Sequence, residues 1–414
     1  MGGDGALDPG RAIAELRELR ELTGDERGAQ RVAWTATWAR ARDWLQDKLA
    51  ALPVEVEVDE AGNLWARLAG ASPRAVLLGG HLDSVPDGGW LDGALDVVAG
   101  LEVLRRVAAA GEPPVSVVLV DWADEEGARF GRSLLGSGLA AGSIDPADVE
   151  GLTDRDGTAL PDALAEHGVD LGRANGGARR LADAAAYLEL HIEQGPLLER
   201  AGLPLAVVTG TAGVQRHAVR IAGQAVQGGG FPMNLRHDAL VAAARLVLEV
   251  RAAAPDAQSR GTVGDVRVEP GIPTAVPGLC DLVVDQRHAD AGALAEMVAR
   301  TREAGERIAA EEGVGLEWRR VWAIEPVPFD PGLMALAEEA VSEVAARGLR
   351  LFSGALHDAA EVARAGVPTA MLFVQSTGGL SHHRDEDTPP AALEVAVRAL
   401  DRLAGKAIAR AAAR

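Results

Sequence analysis

Three hydrophobic patterns alternate along the chain. Continuous apolar runs at Ala75 to Leu78, Val115 to Val120 and Ala370 to Val374 have the length of strands, and such unbroken runs suit strands buried on both faces of a parallel sheet. Gly79-Gly80 is read as the end of the first run. The stretch Leu188 to Gly195 alternates in character and stops at a Gly-Pro turn, as a strand does. Helical spacing marks Arg11 to Glu21, Val32 to Leu52 with Trp34, Trp38 and Trp44, and the positions Val97, Val98, Leu101, Val103 and Leu104. The tryptophans read as core contacts. Helices and strands therefore alternate up to about Gly202, which predicts an α/β layer. From about Leu205 to Trp322 the pattern changes to strands such as His217 to Ala222 and Leu279 to Asp285, with helices at Asp238 to Ala253 and Ala293 to Glu312, a compact α+β insertion. From about Pro326 the α/β pattern returns. The expected division is 1–204, 205–322 and 323–414. Ala-rich pieces at Leu181 to Ala186 and Ala407 to Arg414 read as helix-forming composition, and no fixed-period repeat is visible.

Candidate chemistry sits where the apolar runs end. His81 emerges from the first run, and Asp83 and Asp92 follow it across a Gly/Pro-rich loop. The carboxyl edge of an open α/β sheet is where ligands bind. The second run leads into Asp121-Trp122-Ala123-Asp124-Glu125-Glu126-Gly127. Adjacent buried acids repel and resist desolvation, an objection that a bound cation removes. One carboxylate can then ligate metal while its neighbour acts as a general base. Taken singly, the first segment also reads as a Gly-rich turn with incidental polar residues, and the second as a solvated acidic loop. Two further histidines, His191 in the alternating strand and His382 after the last apolar run, change the balance. Of nine histidines, these three lie in or just after apolar runs. With Asp92 and Glu126 they form a nitrogen and oxygen donor set suited to zinc, manganese or cobalt.

These segments resemble the M20 metallopeptidase and amidohydrolase family, in its branch of N-carbamoyl-L-amino-acid hydrolases, allantoate amidohydrolases and β-ureidopropionases. Beyond the loops above, the resemblance rests on Asp59 to Leu64, Glu125 to Phe130, His191 to Gly195, Pro232-Met233 with Arg236, Asp238 to Leu240, Val276 to Gly278, Asp285 with Arg287-His288, Ser353 to Ala355 with His357 to Ala359, and Ser381-His382. It implies an α/β, metallo-exopeptidase-like catalytic domain with a central mixed sheet, formed by 1–204 and 323–414. The 205–322 insertion would be a dimerisation and lid domain, from which a partner subunit can complete the site of a homodimer. A centre of two divalent ions (Zn, or Mn/Co) is implied, with Asp92 bridging, His81 and His191 completing one ion, and Glu126 and His382 the other. Asp83 would hold the His81 imidazole by a hydrogen bond, and Glu125 would be the general base. The activity implied is hydrolysis of a C–N amide or ureido bond in an N-carbamoyl-amino-acid-like or allantoate-like small acid. Gln194, His357 and Arg287 fall at substrate-binding positions, Arg287 as a bidentate carboxylate anchor.

Two positions depart from the family's pattern. Gln227 stands where the family carries a histidine that polarises the scissile carbonyl, and Thr274 stands where it carries an asparagine beside the substrate carboxylate. Substitution at substrate-facing positions beside a complete metal set points to altered specificity. The alternatives are a metal-binding member with little turnover and a dipeptidase-like exopeptidase.

Composition narrows the partners. Of 414 residues, 48% are hydrophobic and 25% charged, ordinary for a folded protein of this size. A net charge of -20, from 61 acidic and 41 basic residues, argues against nucleic acid and anionic membrane as partners and favours solubility; the small-molecule acidic substrate is what the resemblance implies. Arg287 would be a local exception to that field. Cys280 is the single cysteine, so an intrachain disulfide and a thiolate cluster are excluded, which fits the cytoplasm. Residues 1–10 lack a basic segment and an apolar core and read as a disordered start. No apolar stretch approaches the roughly 18 residues of a membrane span.

Overall fold

The apolar runs become the middle of a mixed sheet. In the computed structural model, which describes residues 6–176, 178–256 and 258–413, the strands lie in the order Leu205–Thr211, Thr369–Val374, Ala184–Ile192, Ala75–His81, Ser116–Trp122, Leu64–Leu68, Glu55–Val58. The four from Thr369–Val374 to Ser116–Trp122 are mutually parallel; Leu205–Thr211 and Leu64–Leu68 flank them antiparallel, and Glu55–Val58 pairs antiparallel with Leu64–Leu68. Successive side chains on a strand point to opposite faces. Val76 and Leu78 accordingly join one core with Leu16, Leu45, Leu190 and Leu393, while Leu77 joins another with Val118, Tyr187, Phe373 and Val362. Burial on both faces is why these runs show no polar alternation. Because the central strands are parallel, their carboxyl ends share one edge, with His81 opposite Trp122 and His191 opposite Phe373 in register.

The first strand does not end at its glycines. It runs through Gly79 and Gly80 to His81, and the glycines are there because a Cβ on Gly79 would lie 2.0 Å from the Val120 carbonyl oxygen, and one on Gly80 2.2 Å from Asp96 Oδ2. A strand glycine of this kind marks close approach of a neighbour. Gly79→Ala is therefore expected to cost about 3 kcal/mol, read as a lower midpoint in denaturant; an unchanged midpoint would show that the sheet can shift to admit the methyl.

By its contacts the chain divides into two compact units, Met1–Thr209 with Phe329–Leu351 and Leu356–Arg414, and Gly210–Pro328 with Phe352–Ala355. The change of pattern in the sequence falls at 205 because Leu205–Thr211 is one unbroken strand through that boundary. The second unit has a four-stranded antiparallel sheet, Arg260–Glu269, Leu279–His288, Gly213–Ala222, Gly315–Ile324. Helices Ala239–Ala252 and Ala291–Glu312 bury Leu246 and Ile308 against Ile221, Cys280, Leu282 and Val284.

Three local expectations change. The 32–52 helix occupies Ala36–Leu49, capped by the Thr35 hydroxyl, and Trp34 sits in the preceding turn with φ 60°. Of the Ala-rich 181–186 piece only the start is helical, because Ala184–Ile192 pairs with the Ala75–His81 strand and that pairing overrides helix propensity. In the segment expected to be a disordered start, Asp8 caps a helix beginning at Pro9; residues 1–5 lie outside the described residues. Arg414, at the end of the Ala-rich 407–414 piece, does too, and the helix before it reaches Ala412. Among the described residues no helix is long and apolar enough to cross a membrane.

Candidate metal centre

All five candidate donors stand at the carboxyl edge of the parallel strands. His81 is the last residue of its strand, and Asp92 comes just before the helix Ala94–Ala109. Glu125 and Glu126 follow Ser116–Trp122, turned by Asp124 at φ 59°. His191 is near the end of Ala184–Ile192, and His382, at φ 54°, follows the Thr377–Gly379 turn. The structure brings them into two triads, His81 with Asp92 and His191, and Asp92 with Glu126 and His382; within each, the ligand atoms lie within 4.8 Å of one another. Asp92 divides its oxygens between them. Oδ1 is 3.1 Å from His191 Nε2 and 3.9 Å from His81 Nε2, while Oδ2 is 3.4 Å from His382 Nε2, which is itself 3.3 Å from Glu126 Oε2.

The far nitrogens of two rings are committed to backbone. His81 Nδ1 is 3.0 Å from the Asp83 carbonyl oxygen, and His191 Nδ1 is 2.8 Å from that of Ile192. A carbonyl only accepts, so each Nδ1 carries the proton and a neutral ring turns its Nε2 lone pair inward. This revises the expected part of Asp83. Its carboxylate is 3.6 Å from the ring nitrogen, too far to be the main partner, and accepts instead from the Glu125 and Glu126 amides at 3.2 and 3.1 Å. Asp83 thus ties the His81 loop to the paired glutamates. Glu125 Oε2 lies 3.8 Å from His81 Nε2 and is buried. Gln194 also meets the centre: its amide donates to Asp92 Oδ2 at 2.9 Å and lies 3.0 Å from Ser381 Oγ, which in turn donates to Asp92 Oδ2 at 2.8 Å. His357 packs edge-on to His191 with ring centroids 4.4 Å apart.

Charge in this cluster is unbalanced in a way that bears on its ligand. Burial pushes the Glu125 carboxyl well up, aided by Glu126, Asp358 and Asp83 against His81. Burial and Asp92 raise Glu126 to about 7. Against burial, Asp96 and Asp92 hold the His191 imidazole charged up to about 10, and Glu125, Asp83 and Asp92 raise His81 well above its usual value. Burial and His191 push His357 well below its own, leaving that ring neutral. The buried acids thus favour protons on three ligand-type histidines, His81, His191 and His382. Divalent cations would displace those protons, and the nitrogen and oxygen donors, with ring tautomers set by backbone, fit such ions.

The remaining expected residues belong to the second unit. Gln227 and Thr274 are brought together there: Val226–Gln227 pairs with Ala275–Val276, and the Gly228 amide donates to the Thr274 carbonyl at 2.7 Å. Arg287 is held by Asp285 Oδ1 at 2.7 Å and by the Gly354 carbonyl at 2.8 Å.

Sequence reasoning missed Glu386. Its Oε1 accepts from the Leu91 and Asp92 amides at 2.9 and 3.0 Å, fixing the backbone that presents Asp92. Its position four residues beyond His382 was the available signal. Trp34 is core as expected, packed with Trp38 and Phe130, and its indole N–H also donates to Asp124 Oδ2 at 2.9 Å beside the paired glutamates.

Comparison with known proteins gives the geometry a lineage. The profile described as Peptidase family M20/M25/M40 matches residues 77–406. An N-carbamoyl-L-amino acid amidohydrolase of Geobacillus stearothermophilus is 37% identical over 374 residues, 89% of this chain and 90% of that protein. An allantoate amidohydrolase of Bacillus subtilis is 34% identical over 379 residues, 90% of this chain and 91% of its own. Among solved structures, an amidase of the hydantoinase/carbamoylase family from Burkholderia multivorans superposes with a TM-score of 0.89 at 32% identity, covering 98% of this chain and 99% of that one. With most of its length matched in this way, the chain belongs to peptidase family M20/M25/M40, in its amidohydrolase branch, and is a hydrolase of non-peptide C–N bonds.

Proposed function

We propose that this chain hydrolyses the amide or ureido C–N bond of a small N-carbamoyl-amino-acid-like or allantoate-like acid at a centre of two divalent cations, with a specificity altered by Gln227 and Thr274. The observation that carries the reading is the division of Asp92, one oxygen to each triad. His81 and His191 would hold one ion, Glu126 and His382 the other. Bound there, zinc, manganese or cobalt supplies Lewis acidity that polarises a carbonyl and acidifies water. Glu125 is free of the ligand set and buried beside His81, where burial pushes its carboxyl well above the usual range. It would take the proton from the attacking water and pass it to the leaving nitrogen. Asp83 keeps Glu125 and Glu126 in place through their amides. Gln194 and His357 border the reacting bond, and Arg287 with its planar fork would take the substrate carboxylate.

The reading extends to a homodimer through the second unit. Leu240, Val241 and Leu248 on the Ala239–Ala252 helix and Val266 on the edge strand Arg260–Glu269 are exposed, the apolar kind of surface that a second copy covers. A cytoplasmic setting agrees with the single cysteine, Cys280.

The test is turnover by metal-loaded protein of N-carbamoyl amino acids, allantoate, β-ureidopropionate and dipeptides. Metal-dependent release of product from the ureido acids is expected. Cleavage of dipeptides alone would put the exopeptidase reading in its place, and no turnover would leave a metal-binding protein. Gln227 gives a second expectation. As part of a specialised pocket, Gln227→His should leave turnover of a plain N-carbamoyl amino acid unchanged or lower. A gain on the order of a hundredfold would show that this chain had only lost a donor.

A further inference from the structure

Arg31 is a fully buried arginine with 0% exposure, in a stretch that carries no motif. Its backbone clasps the loop after His81: the Arg31 amide lies 3.1 Å from Ser84 Oγ, and the Ser84 amide donates to the Arg31 carbonyl at 3.1 Å. Its side chain reaches the same loop, Nε donating to the Leu82 carbonyl at 2.7 Å. Leu82 lies between His81 and Asp83, so this bond pins the backbone joining a ligand-type histidine to the residue that holds the paired glutamates. Nη1 has only a long contact of 3.5 Å with Thr23 Oγ1, and Nη2 has no hydrogen-bond partner. Among the described residues no carboxylate pairs with it. An unpaired buried cation is costly, and a guanidinium does not escape by losing its proton. The loop it clasps carries Asp83 and, through the Val85 amide at 3.4 Å, meets Glu126 Oε1, and the charges that bear on Arg31 are those of Glu386, Asp83, Asp92 and Glu126.

We infer that Arg31 is the resident cation of the centre, supplying from behind the positive charge that holds Asp83, Asp92, Glu126 and Glu386 together when no metal is bound, and opposing metal charge once ions arrive. Arg31 is on this view a positioning residue that moderates metal affinity. The inference rests on the two-cation reading above. It sets the sign of a measurable difference, since a residue that merely packs would stabilise the metal-free and metal-loaded forms equally.

The experiment compares wild type, Arg31→Met and Arg31→Lys, each stripped by chelator and then loaded with zinc or manganese. Arg31→Met is expected to lower the melting temperature of the stripped form more than that of the loaded form, by a margin of about 2 °C or more. By linkage the ions then bind the variant more tightly, about tenfold in Kd by calorimetry. Arg31→Lys, which keeps the charge and loses the planar fork, should fall between. Accumulation of soluble Arg31→Met only in metal-supplemented medium supports the same conclusion. Equal losses in both forms, weaker metal binding, or insolubility with and without metal would overturn it. If wild type itself takes up no divalent ion, the two-cation reading fails instead, so the two failures are separable.

Discussion

Asp92→Ala should empty both halves of the centre at once. The carboxylate gives one oxygen to each triad, so its removal takes a third of the donors from each, leaves His191 without its nearest acid and leaves His382 with Glu126 alone. Bound metal should fall from two ions per chain to less than one, and turnover to background, a loss on the order of 10⁴-fold or more. Elemental analysis of the dialysed variant reads the first and steady-state kinetics the second. His382→Ala removes a donor from one triad only and should keep the His81 and His191 ion, so the two variants together separate a shared ligand from an ordinary one. Retention of two ions by Asp92→Ala would show that the division of its oxygens has no role in holding metal.

Glu125→Gln should separate chemistry from metal binding. The glutamine keeps the shape, and its backbone amide still donates to Asp83, so the neighbouring Glu126 stays in place. What is lost is a carboxylate able to carry a proton. We expect kcat to fall by about 10³-fold, the middle of the range for a positioned acid–base group, with metal content and KM nearly unchanged. A rise in KM with a fall in metal content, kcat being spared, would assign Glu125 to binding. An unchanged kcat would move the proton transfer to another group.

The sequence disclosed this centre well because its residues obey a simple rule. Three of the four parallel strands hold bare apolar runs, and His81, Glu126 and His382 stand at or beyond their carboxyl ends, so these three could be placed on one edge from the sequence. The same logic misplaced the end of the first strand. Gly79 and Gly80 look like a terminator, and only the distance to the Val120 carbonyl and to Asp96 shows that they are packing positions inside the strand. Asp83 illustrates a finer limit: spacing put its carboxylate next to His81, whereas its backbone carbonyl takes the ring N–H and the carboxylate serves two amides from a strand away. Arg31 was invisible for the opposite reason, and Glu386 offered only its nearness to His382 in the chain. Their roles depend on burial and on backbone groups brought from segments distant in sequence, which no local pattern records. Gln227 and Thr274 stood out by substitution, and the structure adds that they lie on the two arms of one short ribbon, Gln227 opposite Ala275 and Thr274 bonded to Gly228.

The account stands most directly on a metal titration of the chelator-stripped protein, with turnover of the best ureido acid followed at each addition. Activity should be absent at the start, rise with added zinc, manganese or cobalt, and reach its plateau at two equivalents per chain. Full activity before any metal is added, or no turnover at any ratio despite two ions bound, would contradict it.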